Sequence, residues 1–216
     1  MKQQRYEHVI WDWNGTLFDD VNWCMGVINT MLAKRGIQKL HGIADYHDVF
    51  CFPIIEYYRN VGFDFECESF EALAAEFIAL YHSNKSGNCK LHINAETALS
   101  SIFESGVSQT ILSASEINIL MSQVSEFDIA GYFDEILGIS DIYAKSKLDI
   151  GQDYIARKNI KNAVLIGDTK HDYEVAMTLG IDCILIPSGH QSKSELSSCG
   201  VPVLDDISCV PKHILA

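Results

Sequence analysis

The chain has 216 residues, 48% of them apolar and 21% charged, and its 29 acidic against 16 basic side chains leave a net charge of −13. That acidity argues against nucleic acid as a partner. No apolar run reaches the ~20 residues that span a bilayer, and the polar start from Met1 to His8 does not read as a signal peptide. A soluble protein of the cytoplasm with no membrane partner is therefore expected.

Seven scattered cysteines without a CxxC pair read as free thiols packed as small hydrophobes, not as a zinc site or a disulfide framework. In chain order, Val9-Ile10-Trp11 is a short apolar run that suits a buried parallel strand, and it ends at Asp12 before a glycine turn at Gly15. From about 21 to 85 the pattern is helical. Met25, Ile28 and Leu32 share one face that Gly36 closes, and Ser69 can cap a helix presenting Leu73, Phe77, Leu80 and Tyr81. Asp19 and Asp20 read as the start of the first of these helices. The aromatic residues Tyr46, Phe50, Phe52, Tyr57 and Tyr58 read as the core of the helical block.

From about residue 91 strands and helices alternate. Helices are predicted over 94–104, 116–127, 148–157 and 173–179, and strands over 109–112, 135–137, 163–166 and 183–186. A further strand at 201–204 would lie near an edge, because Pro202 cannot donate to a ladder. Such alternation predicts an α/β fold, a doubly wound parallel sheet covered on both faces. The helical block interrupts it, which predicts a core over 1–18 and 88–216 and a helical cap domain over 19–87.

Ligands of open α/β sheets bind at the carboxyl ends of the strands. There the sequence places Asp12-Trp13-Asn14-Gly15-Thr16, then Ser113-Ala114-Ser115, then Gly167-Asp168-Thr169 with Asp172; Lys145 and Lys147 precede the helix at 148. Asp12, Asp168 and Asp172 crowded together call for a cation, and an all-oxygen set suits Mg²⁺. A hydroxyl and helix-entry N–H groups suit a phosphate, and a lysine beside a carboxylate suits an aspartyl-phosphate mechanism.

With these residues the chain resembles the haloacid dehalogenase superfamily, in its phosphoglycolate phosphatase-like branch with a helical cap. The resemblance rests on Asp12-Trp13-Asn14-Gly15-Thr16-Leu17-Phe18-Asp19, Ser113, a lysine at 145 or 147, and Gly167-Asp168-Thr169 with Asp172. It implies a Mg²⁺-dependent phosphatase acting on a small phosphorylated metabolite, such as phosphoglycolate or a sugar phosphate. Asp12 would be nucleophile and metal ligand, Asn14 would offer its backbone carbonyl to the metal, and Asp168 and Asp172 would complete the metal site. Ser113, the Ala114 N–H and Thr16 would face the phosphate, with Thr16 equally suited to stabilising the turn. Lys147, adjoining the helix, is preferred to Lys145 for steadying the nucleophile.

One position departs from the family pattern. Phosphatases of this kind usually carry an acid–base aspartate two residues after the nucleophile, and here that residue is Asn14. An amide cannot exchange a proton at neutral pH, so turnover is expected to be slow or limited to good leaving groups, unless His47, His171 or His190 supplies the proton. Two alternatives stay open: an impaired relative that binds Mg²⁺ and a phosphorylated ligand, and a phosphonate hydrolase using Lys34 or Lys39 of the cap. Arg59 is a candidate contact for an anionic substrate, and monomer and homodimer are equally compatible with the sequence.

Overall fold

The computed structural model describes residues 6–83, 89–140 and 146–216. Its strands in chain order are β1 (His8–Trp11), β2 (Phe18–Asp19), β3 (Lys90–Leu91), β4 (Ser108–Glu116), β5 (Glu135–Ile139), β6 (Ala163–Gly167) and β7 (Asp182–Leu185). The helices are α1 (Val21–Lys34), α2 (Ile43–Val49), α3 (Ile54–Asn60), α4 (Phe70–Ser83), α5 (Ala95–Glu104), α6 (Ile117–Glu126), α7 (Lys147–Lys158), α8 (Lys170–Leu179), α9 (Lys193–Ser197) and α10 (Cys209–Ile214). Among the described residues no helix is long and apolar enough to cross a membrane.

Five strands form one parallel sheet in the order β5-β4-β1-β6-β7. β1 is central and all four of its residues are buried, as a strand covered on both faces requires. Successive side chains point to opposite faces. Val9 and Trp11 of β1, with Val164 and Ile166 of β6, pack against α5, α6 and α10. Ile10 and Leu165 face the other way and pack with Val175 and Ala176 of α8 and Leu196 of α9. The two buried indoles are satisfied: Trp11 Nε1 donates to Gln109 Oε1 at 3.0 Å and Trp13 Nε1 to Gln123 Oε1 at 2.9 Å.

Helices α1–α4 have their own apolar cluster, centred on Ile28, Met31, Leu32, Tyr46 and Leu73. The chain leaves the sheet through β2 and returns through β3, and these two pair antiparallel, Phe18 opposite Leu91. This two-residue ribbon is absent from the sequence reading, because a strand that short leaves no periodicity to detect.

Two helices begin earlier than expected, for one reason. At Ser146 and at Thr169 the side chain accepts the N–H three residues on, and Asp149 and Asp172 reach back to the cap's own N–H. These reciprocal capping boxes start α7 at Lys147 and α8 at Lys170. The expected strand at 201–204 is reduced to a single bridge between Val203 and Leu185, with Leu185 N donating to the Pro202 carbonyl at 2.9 Å. β4 extends to Glu116 through a register shift against β5, where a helix start was expected.

Candidate active site

β4, β1 and β6 are neighbours, so the residues at their carboxyl ends meet. Asp12 follows β1 and its N–H donates to the Ile166 carbonyl of β6 at 2.9 Å. The chain then turns sharply: the N–H groups of Thr16, Leu17 and Phe18 all point at the Trp13 carbonyl, and Gly15 N donates to Phe18 O at 2.8 Å. Gly15 makes this possible with φ +78°, a left-handed conformation that glycine adopts freely.

Asp168 lies at the end of β6, wholly buried. Its Oδ1 accepts from Thr16 Oγ1 at 3.0 Å and its Oδ2 from His190 N at 2.6 Å. Two loops press on this carboxylate so closely that a Cβ at Gly15 would lie 2.3 Å from Asp168 Oδ2, and one at Gly189 2.0 Å from it. Asp172, one turn into α8, receives the Thr169 N–H at 3.0 Å and the Thr169 hydroxyl at 2.6 Å on Oδ2. Its Oδ1 accepts from Lys147 Nζ at 2.6 Å. The same ammonium donates to Asp12 Oδ1, so Lys147 clamps two carboxylates. Lys145 lies outside the described residues.

The electrostatics follow from this crowding. Burial pushes the Asp12 carboxyl up, Lys147 opposes it and the neighbouring Asp172 and Asp168 add to it, leaving it at about 8. Burial likewise raises Asp168, against the pull of His190, to about 6. Asp172 stays below the ordinary carboxylate range, because Lys147 and Thr169 outweigh its burial. Burial alone would lower Lys147, but Asp12 and Asp172 hold it above its ordinary value.

A cation fits this arrangement. Asp12, Asp168 and Asp172 each present an oxygen, and the three lie within 4.8 Å of one another. A cation would relieve the crowding that raises Asp12 and Asp168, and oxygen donors favour a hard ion such as Mg²⁺.

The remaining expected residues divide. Ser113 is buried, its Oγ accepts from Ser115 N at 3.1 Å, and it lines the cavity with Ala114. Thr16 is buried with its hydroxyl proton committed to Asp168, and it is not among the cavity-lining residues. Asn14 is held on two sides: Ser115 Oγ donates to its Oδ1 at 2.8 Å and its Nδ2 donates to Asp20 Oδ2 at 2.8 Å. Arg59 pairs with Glu56 and covers Phe65, and Lys34 pairs with Glu76 at 2.9 Å; neither they nor the exposed Lys39 line the cavity. His47 Nε2 lies 3.0 Å from the Gly189 carbonyl oxygen, and His171 stacks on Phe52 at 4.9 Å.

One constellation was not anticipated. Asp20, read as the start of a helix, precedes α1 without capping it and is buried. Its Oδ2 accepts from Tyr81 OH at 2.7 Å as well as from Asn14, and its Oδ1 lies 3.6 Å from His190 Nε2. Burial would lower the His190 imidazole, but Asp20 and Asp168 raise it to about 9, and its Nδ1 lies 2.8 Å from Tyr46 OH. Adjacent acids at 19 and 20 were the only hint in the sequence; which one turns inward depends on the turn at 15–18.

Above the carboxylates opens a cavity of about 620 Å³ between the sheet and α1–α4. Tyr46, Phe50, Tyr57 and Tyr58 are buried in the helical cluster, as expected, and also line this cavity. Phe52 differs: it is 40% exposed and forms wall, not core.

Residues 9–186 match the protein family described as haloacid dehalogenase-like hydrolase. Among solved structures, a predicted phosphatase from Clostridium acetobutylicum is similar at 23% identity with TM-score 0.81, over 97% of this chain and 98% of that one. A predicted phosphoglycolate phosphatase from Haemophilus somnus is similar at 15% identity with TM-score 0.76, over 97% and 98%. Protein Tyrosine Kinase A of Mycobacterium tuberculosis is similar at 22% identity with TM-score 0.81, over 98% and 99%. At such identities the likeness is one of fold, and proteins named for different reactions share it. No curated relative matches the sequence.

Proposed function

We propose, from the premise that this chain belongs to the haloacid dehalogenase-like hydrolase family, that it is a Mg²⁺-dependent phosphatase of small phosphate monoesters working through an aspartyl phosphate on Asp12. The observation that carries this reading is the Lys147 ammonium held between Asp12 and Asp172, with Asp168 alongside. A carboxylate attacks phosphorus only when ionised, and burial works against that state. Lys147 opposes the burial at the Asp12 oxygen it touches. The names borne by the similar Clostridium and Haemophilus proteins agree with phosphate as the group handled.

Asp12, the Asn14 backbone carbonyl, Asp168 and Asp172 would hold the ion. Bound there, Mg²⁺ would neutralise phosphate charge and draw the substrate toward the nucleophile. Ser113 Oγ and the Ala114 N–H would receive the phosphate oxygens. Thr16 and His190 N fix Asp168 from two sides, and the Thr169 cap fixes Asp172, so two of the ligands are positioned by hydrogen bonds already made. Helices α1–α4, the segment 19–87, would act as a cap that shields the site from water.

A second reading is favoured by Asn14, whose amide is locked by Ser115 and Asp20 and has no ionisable proton to give at neutral pH: binding of Mg²⁺ and a phosphorylated ligand with little turnover. The phosphonate reading has less support, because Lys147 is the one lysine among the described residues lining the cavity. Phosphate release from a panel of phosphomonoesters, with Mg²⁺ and with chelator, separates these readings. Asp12→Asn is expected to lower release by about 10³-fold or more. Release that survives that substitution would overturn the nucleophile assignment, and none from the native protein that still binds Mg²⁺ would favour the binding reading.

A further inference from the structure

We propose that the substrate is the phosphate monoester of a phenol rather than of an aliphatic alcohol or hydroxy acid; this rests on the phosphatase reading of the same site. Two independent observations lead there, one from the proton inventory around Asp12 and one from the cavity wall.

When the Asp12 carboxylate attacks phosphorus, the bond from phosphorus to the ester oxygen breaks and that oxygen departs with the electron pair. A nearby acid would normally hand it a proton. At the carboxyl end of β1 the side chain facing the cavity is the Asn14 amide, held by Ser115 and Asp20. Several titratable groups lining the cavity already have partners, and His171, which also lines it, stacks on Phe52. Lys147 bridges Asp12 and Asp172, and Tyr81 OH donates to Asp20. His190 has Nδ1 against Tyr46 OH at 2.8 Å and Nε2 facing Asp20 at 3.6 Å. With an amide where an acid would stand two residues after Asp12, the leaving oxygen departs as an anion and takes its proton from water. A phenol ionises near ~10, as tyrosine does, whereas water itself ionises at ~15.7 and an alkanol resembles water. The site suits the first kind of leaving group and not the second. The cycle closes when water attacks the phosphorus of the aspartyl phosphate: the bond to Asp12 breaks, the carboxylate returns, and inorganic phosphate leaves with the water's oxygen.

The wall points the same way. Besides the carboxylates, the cavity is lined by Phe50, Phe52, Tyr57 and Phe77, with Ile54 and Ile119. Phe52 and His171 stack at 4.9 Å across its side, and Phe50 stacks on His190 at the same separation. No arginine is among the described lining residues, and the one lysine is already shared by two aspartates. A hydroxy acid's carboxylate would find no free guanidinium or ammonium there. At about 620 Å³ the cavity lies within the ~300–1,000 Å³ of sites that enclose whole organic ligands, well beyond a phosphate with two carbons. Flat aromatic rings are the groups that such walls hold by stacked and edge contacts.

The test compares kcat/KM in Mg²⁺ for phenyl phosphates bearing 4-methoxy, hydrogen and 4-cyano substituents with 2-phosphoglycolate and glycerol 3-phosphate. It uses the native protein, Asn14→Asp and Phe52→Ala. Phenyl phosphates are expected to exceed the alkyl esters by about 10²-fold or more, the scale of missing general-acid help, and to rise with the acidity of the phenol. Asn14→Asp should narrow the gap by accelerating the alkyl esters most. Phe52→Ala, at an exposed wall position, should narrow it by roughly 3- to 10-fold through a higher KM for the aryl esters. Alkyl esters turned over as fast as aryl ones, with dependence on Asp12 intact, would overturn the phenol assignment and leave the phosphatase reading standing. An unchanged aryl preference in Phe52→Ala would overturn recognition by the wall. No release from any ester, by the native protein or by Asn14→Asp, would overturn the phosphatase reading itself and the phenol assignment with it.

Discussion

Lys147 illustrates how far one side chain can carry a site. It is buried between Asp12 and Asp172, and replacing it with methionine leaves those carboxylates facing each other with nothing between them. Breaking a buried pair in this way costs about 3–5 kcal/mol, because the abandoned charge stays buried. Lys147→Met should lose stability of that order in urea denaturation of the metal-free protein, and much less in millimolar Mg²⁺; an equal loss in both conditions would contradict the proposed cation site. Gly189 acts by what it lacks. A methyl group there would sit 2.0 Å from Asp168 Oδ2, so Gly189→Ala must displace either the loop or the carboxylate. Misplacement on that scale is expected to lower kcat/KM by about 10²-fold. Gly26→Ala on α1, where a Cβ meets nothing within 4 Å, is the matched control and should instead stabilise by about 0.5–1 kcal/mol.

At the scale of elements, the start of α8 joins folding to function. Thr169 caps the helix through Asp172 N, and Asp172 returns the bond to Thr169 N, so the cap and the proposed ligand are one unit. Thr169→Ala should cost about 0.5–2 kcal/mol in thermal denaturation and also weaken turnover by loosening Asp172, whereas Thr169→Ser should preserve both. That helix start was legible in the residues Thr169 and Asp172, yet periodicity alone placed it later, because its apolar stripe begins only near Tyr173. The strands β1 and β6 were legible almost to the residue, since a central parallel strand is a continuous apolar run. The β2–β3 ribbon was not, because its two-residue strands are held by pairing across 70 intervening positions of chain (20–89) rather than by any local preference.

Across the whole molecule, His190 couples the α1–α4 layer to the sheet: it meets Asp20 and Tyr46 from the helices while its N–H holds Asp168. Its folded imidazole lies at about 9 against an ordinary 6.5, so the contribution is complete below 6.5 and is lost as pH rises through about 9. The Asp12 carboxyl, at about 8 against an ordinary 3.8, acts in the same direction: the folded state binds more protons between those values, so stability falls as pH rises between them. The urea midpoint of the metal-free protein should therefore decline from about pH 5 to about pH 9. Saturating Mg²⁺ should flatten the part below pH 8 by keeping Asp12 ionised in the folded state. A midpoint that rises with pH in chelator would contradict the assigned proton holding.

The sequence by itself determined the α/β class, the place of the helical block and the identity of the carboxylates at the strand ends, because apolar runs, caps and Asp-x-x-Gly-type spacing are local and survive without knowledge of neighbours. It pointed to Asn14 as the position where proton supply departs from the family pattern. Only the tertiary structure decided that Lys147 spans two aspartates, that Thr16 serves Asp168, that Asp20 and not Asp19 turns inward to meet His190, and that aromatic residues of the helices double as cavity wall. Each of these depends on side chains brought together from segments far apart in the chain, and such pairings arise from the packing of layers, which no local pattern encodes.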